Sequence, residues 1–543
     1  MPTLNWIGKE AVEKHHKEVP FRLLEPVEAL SCGDADSGNL IVQGDNLDAL
    51  KALLPRYAGK VKCIYIDPPY NTGNEGWVYN DNVNSPEIKK WLGEVVGKEG
   101  ETLDRHDRWL CMMYPRLLLL KQFLTEDGVI FASIDDNAHC YLRFLLDEIF
   151  GSNCYKNTIA VRRGIKNVQA QFDDWSALAV GHEYILMYSK NKSTRLPKLM
   201  LEHEVEKPGK WDTFWRGTDR PTMRYKLFEF TPDKGQWRWE RGRATKAQKN
   251  YEYYLNNIQD DMSLDEWFIE NLTANNSKLD FVRENDQGSI QYYVPPSSGK
   301  ILSDNWMDIL LSGTETTFET EKSIKIIERI ISWITKEGDV ILDSFAGSGT
   351  TAHAVMAVSH REDCKRDFIA IEMVENISKN ILIPRLKNAV TGYTKGKKEI
   401  PPLGGGFQVL KLSKSSLFSS DGQIRSDVTF KQLAEFVWFI ETGTGLNQSD
   451  LKATDKKSST PYLGQYKDRA MFLLYNDILK DKSDAGGNVL NGRTLELLEE
   501  ALPDFKGQKI VYGARTRFDK TKLARLNITF HQLPYELAVK TWF

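Results

Sequence analysis

VKCIYIDPPYNTG (residues 61–73) and GDVILDSFAGSGTTAHAVMA (residues 338–357) decide the fold. In the first, the β-branched and aromatic run Val61 to Ile66 predicts a buried parallel strand. Pro68 and Pro69 must end it, because neither can donate to a sheet ladder. In the second, Val340 to Leu342 predict another strand, a Gly-rich turn follows, and the spacing from Thr350 onward predicts a helix. A doubly wound α/β sheet places its ligands at such points, beyond the carboxyl ends of parallel strands.

Further α/β pieces flank both signals. Around the first lie NLIVQGDNLDALKAL (39–53), the helical RWLCMMYPRLLLLKQFL (108–124), the strand GVIFASIDD (128–136) and a helix to about Phe150. Around the second lie the helix EKSIKIIERIISWI (321–334) and the strand DFIAIEMVEN (367–376). These pieces suffice for one open sheet with helices on both faces, assembled from two chain segments around an insertion. A chain of 543 residues also exceeds what one core usually organises. The predicted domains are 1–150 (catalytic half, with an N-terminal helical segment), 151–300 (insertion), 301–394 (cofactor half) and 407–543 (a smaller C-terminal α/β domain). The Lys-rich and Pro/Gly-rich stretch 395–406 reads as a linker. AMFLLY (470–475), KIVYGA (509–514) and ITFHQLPY (528–535) read as C-terminal strands.

Composition excludes several classes. With 41% apolar, 11% aromatic and 27% charged residues, the chain is an ordinary globular protein. Its 72 Lys+Arg nearly balance 75 Asp+Glu, so any nucleic-acid surface must be local. The six cysteines lack metal-ligand spacing, and no apolar run approaches a membrane span or a signal peptide. A reduced, cytoplasmic protein with no membrane role and no metal is expected. His15 and His16 are adjacent rather than at i,i+4, so they make no natural metal pair.

The two loops differ in chemistry. Gly347 and Gly349 remove side chains so that backbone can approach a bound molecule, and the following helix start offers free N–H groups. Glu372 ends the next strand about 30 residues after Asp343, where a carboxylate can accept from both ribose hydroxyls of an adenosine-type cofactor. The Lys of a Walker A loop is absent; nicotinamide binding stays open on this loop alone. Asp67-Pro68-Pro69-Tyr70 supplies what methyl transfer to a planar amine requires. The Asp67 carboxylate and the Pro68 carbonyl can each accept one amine hydrogen, and Tyr70 can stack on the base. The base must leave the duplex to reach such a pocket. The bland alternative is a Pro-terminated strand with an ordinary turn.

DPPY followed later in the chain by FAGSG resembles the β-class amino-methyltransferases, in which the catalytic half precedes the cofactor half. NWIGKEAVEKHHKEVPFRLL (5–24), GDNLDAL (44–50), IDPPYNTGN (66–74), GVIFASIDD (128–136) and GHEYILMYSKN (181–191) look more closely like modification subunits of type III restriction systems and their stand-alone relatives. The matches cover about residues 1–200 and 300–390. The resemblance implies a Rossmann-like S-adenosylmethionine-dependent methyltransferase sheet interrupted by a target-recognition insertion, and DPPY implies adenine N6 over cytosine N4. It implies that Asp343, Phe345, Ala346, Gly347 and Gly349 line the cofactor with Asp67, that Glu372 holds the ribose, and that Asp45 sits near the adenine end. FETEKS (318–323) places Phe318 and Lys322 where the family has a TPKP-like segment, although both prolines are missing. A homodimer on double-stranded DNA, and in the type III case a separate helicase-nuclease restriction subunit, are the implied partners. A non-catalytic DNA-binding module and an RNA or protein methylase are the competing readings.

The insertion interleaves basic and aromatic residues in KWDTFWRGTDRPTMRYK (210–226) and KGQWRWERGRATKAQK (234–249). It reads as a recognition surface, with Arg216, Arg220, Arg224, Arg238, Arg241 and Arg243 as DNA contacts. Trp211, Trp215, Trp237 and Trp239 could stack, although core packing of a subdomain suits each one better. Arg162, Arg163 and Lys166 form a second candidate patch, which a solvated charge cluster explains equally well. His106 with Asp104 and Asp107 suits a structural or DNA-proximal role, and His182-Glu183 a strand bordering the target pocket.

Overall fold

The computed structural model describes all residues except 1–3, 35, 72–100, 165–177, 276–277, 312–320, 396–397, 420–422, 447–460, 479–480 and 535–543. Packing divides the chain into two units, residues 1–197 with 304–543, and residues 198–303.

An eleven-stranded sheet organises the first unit. Its main path runs Arg22–Pro26, Gly406–Ser416, Leu40–Gln43, Asp367–Glu372, Val340–Asp343, Val61–Ile66, Leu124–Ile134, His182–Ser189, Tyr155–Arg162 and Asn305–Leu310. The strands from Gly406–Ser416 to Leu124–Ile134 are parallel to one another. Both predicted signal strands are therefore neighbours, with Leu342 opposite Ile64 on one side and Ile369 on the other. That adjacency joins segments more than 270 residues apart, as an interrupted domain requires.

The strands are apolar on both sides because helices cover both. Leu40, Val42, Ile64, Ile66, Ile130 and Ala132 share a core with the helices Asn46–Tyr57, Glu101–Phe123 and His139–Phe150. On the opposite face Phe131 meets Trp333 at 6.3 Å between ring centroids. Trp333 belongs to the helix Ile324–Ile334, which buries Ile326, Ile327, Ile330, Ile331 and Ile334 along one stripe and packs on the helix Thr350–Glu362.

Two predicted boundaries move. Tyr155–Arg162 and His182–Ser189 pair antiparallel with each other, and the latter pairs with Leu124–Ile134, so both belong to the sheet. The separate unit accordingly spans Lys198–Ser303 instead of 151–300. At the other end the expected C-terminal domain does not begin at 407. Gly404 and Gly405 adopt left-handed φ of 74° and 72°, turning the chain so that Gly406–Ser416 lies parallel to Leu40–Gln43 as a sheet strand. The three predicted C-terminal strands do form, in a four-stranded sheet ordered Tyr462–Tyr466, Arg469–Leu473, Gln508–Gly513 and Ile528–Gln532. Within the same unit, Gly445 N–H donates to the Ala58 carbonyl at 2.8 Å, beyond the helix Asn46–Tyr57.

The 198–303 unit has its own core. Phe214, Tyr225, Leu227 and Trp237 pack with Ala244 and Ala247 of the helix Arg241–Asn257, and Phe268, Phe281 and Tyr293 form a second cluster. Trp237 is thus interior, whereas Trp215 is 44% exposed. Among the described residues no helix is long and apolar enough to cross a membrane, and no cluster of three metal-ligating side chains occurs.

Candidate functional site

The two loops leave adjacent parallel strands at their carboxyl ends, which sets Asp343 at the end of one strand and Asp67 just past the end of its neighbour. Asp343 is buried and works inward: its carboxylate accepts from the Phe345 N–H at 3.0 Å and from the Thr351 hydroxyl at 2.5 Å. Burial pushes it up to about 7, against those two hydrogen bonds and with help from the Asp67 and Glu372 charges. It thereby ties the start of the Gly-rich turn to the helix that follows.

The turn itself needs glycine. Gly347 and Gly349 sit at φ of 52° and 81°, in the left-handed region that L side chains avoid. The Ala346 N–H donates to the Ile371 carbonyl at 3.0 Å, and the Gly347 N–H donates to Glu372 Oε2 at 2.8 Å. The other Glu372 oxygen accepts from the Val374 N–H at 2.8 Å. Glu372 is 7% exposed, and burial raises its carboxyl above the usual range despite those bonds. A carboxylate offers about four acceptor positions, so these backbone donors leave capacity for an adjacent hydroxyl.

Asp45 caps the helix Asn46–Tyr57, accepting from the Leu47 N–H at 2.8 Å and the Asp48 N–H at 3.3 Å. Its second oxygen lies 3.4 Å from Arg116 Nη2. Arg116 is wholly buried; it donates to Asn46 Oδ1 at 2.5 Å and to the Met112 carbonyl at 2.8 Å. Asn46 in turn donates to the Ser344 carbonyl at 3.0 Å. Asp45 is therefore tied to the Gly-rich turn through a buried relay that the sequence does not announce. Beneath the same turn, Arg385 pairs with Glu321 at 2.7 Å and donates to the Ser348 and Thr350 hydroxyls, each at 3.1 Å.

On the Asp67 loop, Pro69 is fixed by the Trp109 indole, which donates to its carbonyl at 2.7 Å. Asn71 follows at a left-handed φ of 59°, fully buried, with Nδ2 2.8 Å from His106 Nδ1. His106 thus has a structural place in the loop; burial, then Arg105, lowers its pKa. Lys322 Nζ donates to the Tyr70 hydroxyl at 2.5 Å and lies 4.6 Å from that ring's centroid. The same ammonium is 3.4 Å from Asp67 Oδ1 and 3.4 Å from Glu183 Oε2. Burial raises Asp67, and the Lys322 charge is the largest opposing influence. Asp67 Oδ1 is buried and accepts no hydrogen bond. A buried acceptor in this state favours an incoming N–H donor.

Lys322 thus joins the Asp67 loop, whereas Phe318 and Lys166 lie outside the described residues. The remaining predicted DNA contacts divide. Arg162, Arg216, Arg220 and Arg241 are exposed. Arg224 pairs with Asp219, Arg238 donates to the Thr213 carbonyl at 2.8 Å, and Arg243 makes a two-point pair with Asp280 at 2.7 and 2.9 Å. Those three hold the insertion's own fold. Arg163 lies 3.3 Å from Glu183, which the sequence places on a strand bordering the target pocket without giving its carboxylate a partner. Its contact with Lys322 spans 139 residues, so only the folded sheet reveals it.

The sequence is similar to those of known proteins. The chain is 31% identical over 432 residues to the EcoPI Mod subunit, a type III restriction-modification enzyme of Escherichia phage P1, covering 69% of this chain and 64% of that protein. It is 31% identical over 411 residues to the StyLTI Mod subunit of Salmonella typhimurium, covering 70% and 59% respectively. The type II methyltransferase M.KpnI of Klebsiella pneumoniae is 28% identical over 394 residues, covering 66% of this chain and 85% of the relative. The chain therefore spans about three-fifths of the length of the two Mod subunits. The DNA methylase family model matches residues 61–382, which begin at the Asp67 strand and end beyond Glu372, and the chain belongs to that family.

Proposed function

We propose that this chain transfers the methyl group of S-adenosylmethionine to the N6 amine of adenine in a specific duplex DNA sequence. The observation that carries the reading is the buried Asp67 Oδ1, held only by a 3.4 Å ion pair to Lys322, just beyond the strand next to the Gly-rich turn. Relatives named as Mod subunits and type II methyltransferases support it.

The cofactor pocket fits an adenosylated sulfonium. Glu372 retains acceptor capacity for the ribose, left-handed Gly347 and Gly349 keep side chains out of the approach, and the buried carboxyls of Asp343 and Glu372 with the half-buried Asp67 favour a cation. Phe345, Ala346 and Asp45 complete the proposed lining. When bound, the cofactor supplies an electrophilic methyl group.

This chain's residues do the rest by orientation. Asp67 and the Pro68 carbonyl each accept one amine hydrogen, which directs the nitrogen lone pair toward the methyl donor. Tyr70 stacks on the flipped adenine and repays part of the few kcal/mol that flipping costs. Trp109 fixes the loop through the Pro69 carbonyl. Transfer is direct, because the amine is itself the nucleophile. The exposed Arg162, Arg216, Arg220 and Arg241 are proposed to contact the DNA, and the protein is proposed to act as a cytoplasmic homodimer.

A second reading keeps the chemistry and adds a partner: the relatives named Mod subunits favour a modification subunit of a type III complex with a helicase-nuclease. The test is methyl transfer to duplex DNA by purified protein, with nucleosides separated by mass. N6-methyladenine, absent with Asp67→Ala, supports the proposal. N4-methylcytosine overturns the choice of base, and methyl transfer that survives Asp67→Ala overturns the loop assignment.

A further inference from the structure

We infer that Glu183 is a positioning residue that receives the Lys322 ammonium when the target amine takes its place at Asp67. The inference rests on the reading of Asp67 to Tyr70 as the base-binding loop. Glu183 is only 6% exposed, near the start of the sheet strand His182–Ser189, opposite Val161. A carboxylate so placed requires counter-charge, and it has two: Arg163 Nε 3.3 Å from Oε1 and Lys322 Nζ 3.4 Å from Oε2.

Lys322 is shared. It donates to Tyr70 Oη at 2.5 Å and to Glu183 Oε2 at 3.4 Å, and its ammonium lies 3.4 Å from Asp67 Oδ1 as an ion pair. The ammonium stands equidistant between two carboxylates, so a small displacement exchanges one for the other at little electrostatic cost. An amine that donates to Asp67 Oδ1 competes with Lys322 for that oxygen. Glu183 gives the displaced ammonium a buried carboxylate, and the Lys322 bond to the Tyr70 hydroxyl keeps the stacking ring in place. Without the Glu183 charge, Asp67 becomes, among the described residues, the only carboxylate paired with Lys322. The ammonium then closes on Asp67 and blocks the amine.

Three consequences separate this role from a merely structural one. Glu183→Gln, nearly isosteric, lowers kcat for methyl transfer by about 100-fold, the cost of misplacing a reacting group by about an ångström, while cofactor affinity stays within about twofold. Glu183→Asp, which keeps the charge, retains at least about tenfold more activity than the Gln variant. Adding Lys322→Met to Glu183→Gln causes no multiplied loss, because removing the cation that closes on Asp67 offsets the loss of its bond to Tyr70.

The experiment is single-turnover methyl transfer by the full chain on a duplex carrying its site. Wild type, Glu183→Gln, Glu183→Asp, Lys322→Met and the double variant are compared, with Asp67→Ala as control. Full activity of Glu183→Gln, equal activity of the Asp and Gln variants, or multiplied losses in the double variant overturns the inference. If Glu183→Gln does not fold, Glu183→Asp and its combination with Lys322→Met carry the same additivity test. An active Asp67→Ala protein instead overturns the base-loop assignment, whatever Glu183 does.

Discussion

Replacing Asp343 by Asn isolates what a buried carboxyl costs this fold. Asp343 shifts from 3.8 to about 7, chiefly through burial. A folded-state pKa above the unfolded value means that the folded protein binds the proton more tightly. The contribution is therefore fully favourable below about pH 4 and is lost as pH rises toward 7. At 1.36 kcal/mol per unit, that rise removes about 4 kcal/mol, an upper bound for one group. Asn keeps the acceptor for the Phe345 N–H and can donate to the Thr351 hydroxyl, so both local contacts survive with one polarity reversed. The variant is expected to be less stable than, or equal to, the wild type at pH 4 to 5, to gain on it up to about pH 7, and to keep that gain at pH 8. Denaturant unfolding at closely spaced pH values, followed by tryptophan fluorescence, measures the difference. A stability difference between the two proteins that stays flat from pH 4 to 8 would refute the reasoning. Cofactor affinity at pH 8 is expected to fall in the same variant, because a negative charge near the cationic sulfonium is lost.

Two further substitutions probe the scaffold of the cofactor loop. Arg116→Met leaves Asn46 Oδ1 and the buried end of Asp45 without their cation; a loss of about 3 kcal/mol is expected, toward the low end for a broken buried pair because Asp45 is partly exposed, and unchanged unfolding would contradict it. Gly347→Trp places a large side chain at φ 52° in the turn, with a backbone cost of about 1–2 kcal/mol. Calorimetric titration is expected to show no S-adenosylmethionine binding, and near-normal affinity would remove the 343–349 turn from the cofactor site.

The parts of this account legible in sequence are local ones. Pro68 and Pro69 end a strand, Gly347 and Gly349 turn it, and Glu372 closes the next, because each effect follows from backbone chemistry within a few residues. That the two signals belong to one interrupted sheet was also readable, from the α/β pieces that flank each, whereas their adjacency in that sheet was not. What the sequence hides is carried by contacts between distant residues. Arg116, in the middle of an apolar helix, carries no local signal of the bonds it makes to Asn46 and Met112. Glu183 gains its meaning from Lys322, and Arg243 reads as a DNA contact until Asp280 is seen beside it. The boundary near 151 failed because Tyr155–Arg162 and His182–Ser189 are antiparallel additions to a parallel sheet, joined by residues outside those described. The boundary at 407 failed because Gly404 and Gly405 resemble a linker while turning the chain into one more sheet strand.

The most direct test of the central claim is single-molecule sequencing of genomic DNA from a methylation-free host expressing this chain alone, beside a host expressing Asp67→Ala. The account predicts N6-methyladenine at one recurring sequence with the wild type and none with the variant. Unmodified DNA despite folded, cofactor-binding protein, or the same methylated sequence in both hosts, would contradict it.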